Sequence, residues 1–119
     1  MHPILKSQIH PKGWGREEWI YNSEAYCGKI LVFQAGKRCS WHFHKIKDET
    51  FHLLSGKLLI KYSFEDSLDT ATCIELNVGD TFNVPPGLRH QMIASEDSIL
   101  LEISTTHFED DSYRIIRGD

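Results

Sequence analysis

Two histidines separated by one residue, His42 and His44, begin the stretch of this 119-residue chain that most strongly indicates metal binding. Side chains alternate along an extended strand, so these two imidazoles point to the same face. Glu49 follows the connection KIKD, where a hairpin can return its carboxylate beside them. His90, directly after VPPGLR, would be the fourth ligand. Three neutral nitrogens and one anionic oxygen suit one divalent ion such as Zn, Mn, Fe, Ni or Co.

The elements that must position these ligands are short β-favouring runs separated by Gly, Pro, Asn and Asp turns. The predicted strands are 17–22, 27–35, 40–44, 50–54, 57–64, 72–76, 81–84, 90–94, 98–104 and 113–116. Many short strands with regular turns predict an all-β sandwich or barrel. A short helix around Lys6 to Gln8 is the one helical alternative.

Length predicts a single domain over residues 1–119, since a chain of this size builds one core. We expect the barrel core at about 27–104, with an N-terminal arm (1–16) and a C-terminal extension (105–119). Cys27, Cys39 and Cys73 are odd in number and far apart, which predicts small buried side chains and no disulfide framework.

Charge and hydropathy exclude some classes of partner. The formal net charge is -4 and there is no basic stripe, which argues against nucleic-acid binding. No apolar run approaches the ~20 residues of a membrane span. The N-terminal segment lacks the pattern of a secretory signal, so a cytoplasmic location is expected.

The spacing of ligands and glycines resembles the two motifs of the cupins. Their first motif is Gly, five residues, His-x-His, three or four residues, Glu, six residues, Gly; it is matched by Gly36, His42, His44, Glu49 and Gly56. The resemblance implies a double-stranded β-helix, the jelly-roll cupin barrel, with the metal inside it.

The second cupin motif is Gly, five residues, Pro-x-Gly, two residues, His, three residues, Asn. Gly79, Pro85, Gly87 and His90 match it, and Ala94 stands where Asn is usual. Because Asn is not one of the four ligands, this departure leaves the metal prediction intact. The alternative is that the histidines are satisfied polar residues of the barrel core, as in cupins that have lost the metal.

The flanking segments resemble cupins that act on sugars. KGWGREEWI (12–20) resembles the Lys-Pro-Trp-Gly opening of the cupin domain of type II mannose-6-phosphate isomerases, and LLEISTTHFEDDSYRI (100–115) is similar to a later stretch of that family. Those isomerases commonly carry Gln where this chain has His42. HFHKIKDE is closer to D-lyxose isomerase-like cupins.

The leading interpretation is a sugar or sugar-phosphate isomerase with a small-molecule substrate. A metal chelated by the C1 carbonyl and C2 hydroxyl oxygens would stabilise an enediolate. The same ligands would serve an Fe(II)-dependent dioxygenase, which is one alternative. A non-catalytic cupin that binds a small molecule is the other, and it would need no base.

Isomerisation also requires a group that moves a proton, and the candidates are Lys47, Glu102, Tyr62 and His107. Each has a structural alternative. Lys47 lies in a charged run and could be a solvated cation. Glu102 could face the barrel mouth or water, Tyr62 could pack, and His107 could lie on the surface.

Arg89 precedes the fourth ligand, where it could clamp a phosphate or carboxylate of the substrate or form a salt bridge at the rim. His52 has the opposite strand parity to Glu49 and should face away from the metal. FEDDS (108–112) is predicted to be a solvated turn. The exposed edges of an open sandwich favour a homodimer.

Overall fold

The chain folds into eleven strands and no helix over residues 3–119, the part that the computed structural model describes. The strands are β1 (Gln8–Lys12), β2 (Gly15–Asn22), β3 (Cys27–Phe33), β4 (Trp41–Phe43), β5 (Glu49–Ser55), β6 (Leu58–Ser63), β7 (Thr72–Leu76), β8 (Thr81–Val84), β9 (Arg89–Ala94), β10 (Ser98–Ser104) and β11 (Tyr113–Ile116). The all-β prediction is confirmed, and each run predicted as a strand overlaps one.

The short helix around Lys6 to Gln8 is wrong, and β1 is the strand that the sequence did not predict. Its residues pair antiparallel with β2, from Gln8 opposite Trp19 to Lys12 opposite Gly15. Pro11 fits there because β1 is an edge strand, where a missing N–H breaks no ladder.

The strands form two antiparallel sheets, in the orders β1-β2-β3-β10-β5-β8 and β11-β4-β9-β6-β7. From β3 onward the chain passes from one sheet to the other at every connection except that between β6 and β7. Such alternation between two sheets is the jelly-roll architecture, so this prediction is also confirmed.

Alternation along the central strands builds the core between the sheets. In β3 every second residue is buried, and Leu53 and Leu100 from β5 and β10 are inaccessible to solvent. Burial of each such side chain contributes about 1.5–3 kcal/mol. Leu31, Phe51 and Met92 belong to this core and also line the cavity described below, so the core forms the cavity floor.

Two of the three cysteines are buried as predicted, Cys27 and Cys39, but Cys73 is exposed. The prediction for Cys73 is wrong because β7 lies at the edge of its sheet, where this position faces solvent. Within residues 3–119 no helix is long and apolar enough to cross a membrane.

Candidate metal centre

Strands β4 and β9 bring the two histidine segments together. His42 on β4 lies directly opposite His90 on β9, and opposed residues of an antiparallel pair project to the same face. His44 follows the end of β4. Gly87, in the turn before β9, has a φ of 86° and donates its N–H to the His44 carbonyl at 2.7 Å. The left-handed conformation that Gly allows therefore ties the turn before His90 to His44.

The three imidazoles converge between the sheets. One nitrogen from each of His42, His44 and His90 lies within 4.8 Å of the other two. The three ring centroids are 4.4 to 5.7 Å apart. His44 and His90 are buried and His42 is half-buried. The structure thus brings together the three histidines that the sequence proposed as ligands.

Glu49 begins β5 and turns its carboxylate toward this cluster. Its Oε1 lies 3.0 Å from His90 Nε2 and 3.4 Å from His44 Nε2. Two ligands at ~2.1 Å from one ion are ~3.0 Å apart at adjacent octahedral positions and ~3.4 Å apart in a tetrahedron. Both separations are compatible with ligands of one metal ion, although the group of ligand atoms within 4.8 Å of one another contains the three histidines and not Glu49.

A backbone carbonyl holds the outer nitrogen of each imidazole. The Nδ1 atoms of His42, His44 and His90 lie 2.9, 2.7 and 3.0 Å from the carbonyl oxygens of Ser40, Asp111 and Leu88, respectively. A carbonyl can only accept, so Nδ1 carries the proton and Nε2 presents a lone pair to the cluster.

The buried atoms of the cluster also test whether a cation fits there. Glu49 Oε1 and His90 Nε2 are buried and lack a hydrogen-bond partner among the described residues. Lone pairs that converge on a buried carboxylate with no donor between them are costly without a cation. The donor set is therefore suited to a divalent metal, although the arrangement does not select one.

Burial and neighbouring charges favour the ligand forms of His42 and Glu49. At His44 burial would lower the pKa, but its contact with the Glu49 carboxylate raises it above its ordinary value. Burial, with the charges of His90 and His44, holds the pKa of His42 well below its ordinary value, so this imidazole is neutral at pH 7. Burial would raise the pKa of Glu49, but its contacts with His44 and His90 and the charge of Lys47 hold that pKa well below its usual range. Neutral imidazole and ionised carboxylate are the forms that bind a metal.

Asp111 organises the loop between β4 and β5, and sequence reasoning missed it. Its carboxylate accepts hydrogen bonds from the backbone N–H groups of Lys45, Ile46 and Lys47 at 2.8, 3.2 and 3.0 Å. The predicted solvated turn is wrong at this position, because Asp111 is 3% exposed and satisfies three loop donors. No local pattern marks it, since these partners are 64 to 66 residues away.

Lys47 and Glu102 form a buried pair beside the metal ligands. Lys47 Nζ lies 2.6 Å from Glu102 Oε2 and 3.4 Å from Glu49 Oε2. Ser104 donates its hydroxyl to the same Glu102 oxygen at 3.1 Å, and no described residue donates to Glu102 Oε1. Burial would lower the pKa of Lys47, but the charges of Glu102 and Glu49 raise it above its ordinary value. Lys47 is therefore a tightly bound cation and not a solvated one.

These groups surround one cavity of about 370 Å³. Small-molecule sites commonly enclose ~300–1,000 Å³. The cavity is lined by the three histidines, by the carboxylates of Glu49 and Glu102, and by Lys47. It can hold a small polar molecule against the candidate metal ligands.

Comparison with known proteins finds curated relatives and solved structures, while no protein-family model matches the chain. One relative is the D-lyxose/D-mannose isomerase of Thermosediminibacter oceani, which is 27% identical over 112 residues. The match covers 76% of this chain and 61% of that enzyme, so the chain spans about three fifths of its length.

The solved structures share the architecture at low identity. KdgF from Halomonas sp. is 18% identical with a TM-score of 0.73, covering 89% of this chain and 90% of that one. CapF from Staphylococcus aureus is 17% identical with a TM-score of 0.76, covering 95% of this chain and 32% of that one. A variant of Bacillus subtilis oxalate decarboxylase is 16% identical with a TM-score of 0.78, covering 95% and 33%. All three are cupins. The chain has the cupin fold.

His107 lies in a second, partly buried cluster on the cavity wall, next to β2 and β3, in which only Lys29 is fully buried. Lys29 Nζ is 3.3 Å from His107 Nδ1, 3.5 Å from Glu17 Oε1 and 4.3 Å from the ring centroid of Trp19. Burial and the charge of Lys29 lower the pKa of His107 to about 4. Sequence reasoning missed Lys29 and Glu17, although Lys29 shares the inward parity of Leu31 in β3.

Tyr62 and Arg89 lie outside the cavity lining. Tyr62 packs against Phe82, with ring centroids 5.1 Å apart. Arg89 Nε lies 2.9 Å from Asp66 Oδ1, and the guanidinium stacks 3.7 Å from the Phe43 ring centroid. Arg89 therefore forms the rim salt bridge and not the substrate clamp. His52 Nδ1 lies 2.8 Å from the Thr81 hydroxyl and is absent from the cavity lining.

Proposed function

We propose that this cupin is a metal-dependent isomerase of sugars or sugar phosphates. The observation that carries the proposal is the convergence of three imidazoles, with the Glu49 carboxylate beside them, in a cavity that Glu102 also lines. The 27% identical relative is a D-lyxose/D-mannose isomerase, which supports the same reaction class.

The four ligands would be His42, His44, Glu49 and His90. A divalent ion bound there would supply Lewis-acid polarisation of two neighbouring sugar oxygens. The protein must then hold the sugar in the cavity, exclude bulk water, accept the proton that leaves C2 and return it to C1, while a second proton moves from the C2 hydroxyl to the C1 oxygen.

Glu102 is the group that we assign to this proton transfer. Lys47 and Ser104 hold Oε2 of this cavity-lining residue, so we assign the proton transfer to its Oε1. Lys47 itself is a poor base, because two carboxylates bind its ammonium and raise its pKa. His107 has Nδ1 beside the Lys29 ammonium, so its remaining group is an Nε2–H that can donate to a sugar hydroxyl.

The ligand set is tested by elemental analysis of the purified protein and of His90→Ala, with His52→Ala as the matched control. We expect His90→Ala to lose metal and thermal stability together, since an ion at 100-fold its Kd stabilises the folded state by about 2.7 kcal/mol. His52→Ala should retain both. Unchanged metal stoichiometry in His90→Ala would refute the ligand assignment.

The reaction class is tested by incubating the metal-loaded protein in D₂O with D-mannose, D-lyxose and their phosphates. NMR should show deuterium at C2 and the corresponding ketose. Glu102→Gln should retain metal and lower exchange by ~10²–10⁴-fold, the usual contribution of a positioned base. Glu75→Gln, on an exposed strand edge, is the control. Full exchange in Glu102→Gln would refute the assignment of Glu102 as the base. Oxygen uptake by the iron-loaded protein, without deuterium exchange, would favour the dioxygenase alternative.

A further inference from the structure

The cations that line the cavity fall into two kinds. Lys29 and Lys47 are buried and paired with carboxylates. Lys12, Arg114 and Arg117 are exposed at the mouth, and none of them forms an ion pair with any residue in the described range. The cations at the mouth are therefore available to a ligand, whereas the charges of Lys29 and Lys47 inside the cavity are already balanced by carboxylates.

Arg114 stands closest to the metal centre by register. It lies on β11 directly opposite His42 of β4, so both side chains start from the same face of the sheet. His42 reaches inward to the cluster, while the longer Arg114 side chain extends to the mouth. A ligand that contacts the ion beside His42 would therefore pass the guanidinium of Arg114.

Backbone contacts place Lys12 and Arg117 on the same rim, although they are far apart in sequence. The Asp119 N–H donates to the Arg38 carbonyl at 3.0 Å, which lays the segment after β11 beside the start of β4. A Cβ added to Gly13 would collide with the backbone carbonyl of Asp119, so the β1–β2 turn touches the same segment. Lys12 adjoins that turn and Arg117 adjoins that segment.

The acidic residues near the mouth do not neutralise these cations. The carboxylate of Asp119 accepts the N–H of Arg38 at 2.8 Å, and that of Glu109 lies 3.7 Å from His107 Nε2. Both line the cavity without approaching Lys12, Arg114 or Arg117 closely enough to pair. Glu17 also lines the cavity; burial would raise its pKa, but the charges of Lys29 and then of Lys12 lower it, and its ion pair is with Lys29. Within residues 3–119 the three rim cations therefore form no ion pair of their own.

We propose that Lys12, Arg114 and Arg117 bind the anionic group of the ligand, a phosphate or carboxylate, while its hydroxyl-bearing end reaches the metal centre. Guanidinium groups bind both anions through paired hydrogen bonds, and these charge-assisted bonds are the stronger ones. The inference deepens the proposed function, because it narrows the substrate to an acidic sugar derivative. It also replaces Arg89 as the clamp, since Arg89 is already bound to Asp66.

The first test uses inorganic phosphate and protein with ¹⁵N-labelled arginine. Phosphate titration should shift the side-chain resonances of Arg114 and Arg117 and leave that of Arg89 in place, and the shifts should diminish with added NaCl as exposed charges are screened. Arg114→Gln and Arg117→Gln assign the resonances. Equal shifts of all three arginines, or none, would overturn the proposal.

The second test compares D-mannose 6-phosphate, D-mannuronate and D-mannose by calorimetry on the metal-loaded protein. We expect at least one acid to bind ~10–100-fold more tightly than mannose, a range typical for charge-assisted hydrogen bonds. The preferred acid distinguishes phosphate from carboxylate. The double variant Arg114→Gln/Arg117→Gln should lose this preference with mannose affinity unchanged, whereas Arg89→Gln should keep it.

The outcomes separate this inference from the proposed function. Tight binding of an acid without C2 exchange would refute the isomerase and leave the rim assignment standing. If D-mannose exchanges its C2 proton as fast as its acidic derivatives do, in the wild type and in the double variant alike, the rim assignment is refuted and the isomerase proposal stands. If no ligand binds and the arginine resonances do not move, the assignment of the rim cations as an anion site is refuted.

Discussion

Two buried lysines line the same cavity and are held in different ways. Lys47 lies 2.6 Å from Glu102 and 3.4 Å from Glu49, and both carboxylates are almost inaccessible to water. Lys29 lies 3.5 Å from Glu17, whose side chain is 19% exposed, and 3.3 Å from the neutral His107. Its remaining partner is the Trp19 ring, 4.3 Å away.

The difference between the partners of Lys47 and Lys29 shows where this molecule requires a fixed charge. Water cannot replace the partners of Lys47, so loss of that ammonium leaves two carboxylates buried and unpaired. The contacts of Lys29 are longer and reach a partly exposed carboxylate, so its ammonium is held less rigidly than that of Lys47. The metal side of the cavity is therefore preorganised, and the Lys29 side is adaptable.

Replacing each lysine by methionine should give the largest effect on stability. It tests directly whether the two lysines are held differently. In metal-depleted protein Lys47→Met should lower the free energy of unfolding by about 3–5 kcal/mol, as for other broken buried ion pairs. Lys29→Met should cost about 1–3 kcal/mol, the penalty for leaving a polar group without its partner. Urea denaturation measures both.

The exposed Lys45, whose ammonium lies over the Tyr113 ring, provides the control. Lys45→Met should change stability by no more than about 0.5 kcal/mol, as is usual for surface positions. Equal losses in Lys47→Met and Lys29→Met would show that the two clusters are equally rigid.

Asp111→Ala sharpens the comparison, because it asks whether the loop backbone or the ion pair fixes Lys47. Three N–H groups of the loop would lose their acceptor, so we expect a loss of about 2–3 kcal/mol and faster hydrogen exchange at Lys45, Ile46 and Lys47. Asp110→Ala, at the exposed neighbour, should leave both unchanged. Unaltered amide protection in Asp111→Ala would assign the loop's rigidity to the Lys47 pair alone.

The strands of this fold could be predicted because their signals are local. Alternating burial and turn residues mark β3, β5 and β10 within a few positions, and the same parity places His42 and His44 on one face. β1 could not be predicted, because its polar sequence with Pro11 carries no such alternation and only pairing with β2 makes it a strand.

The charged part of the site depends on which distant strands become neighbours. Lys29 and Glu102 lie opposite each other on β3 and β10, and Arg114 lies opposite His42, yet nothing local encodes either register. Arg89 illustrates the converse: adjacency to His90 in sequence suggested a clamp, but strand parity sends its side chain to Asp66 and Phe43. The spacing of residues in sequence predicts the metal ligands, whereas the pairing of distant strands decides which charged groups become partners.

The titration of His107 is the smallest expected effect and the most direct measure of the Lys29 cluster. Burial and Lys29 lower its pKa to about 4, below the ~6.5 of an unfolded chain. A histidine whose pKa is lowered by folding stabilises the fold above pH ~6.5, and this contribution is lost as the pH falls toward 4. In Lys29→Met the pKa should rise but stay below the ordinary value, because burial still disfavours the charged ring. Histidine NMR titration measures this, and Lys45→Met should leave the curve unchanged. An unaltered curve in Lys29→Met would mean that burial alone sets the protonation of His107 and that Lys29 exerts no control over this wall of the cavity.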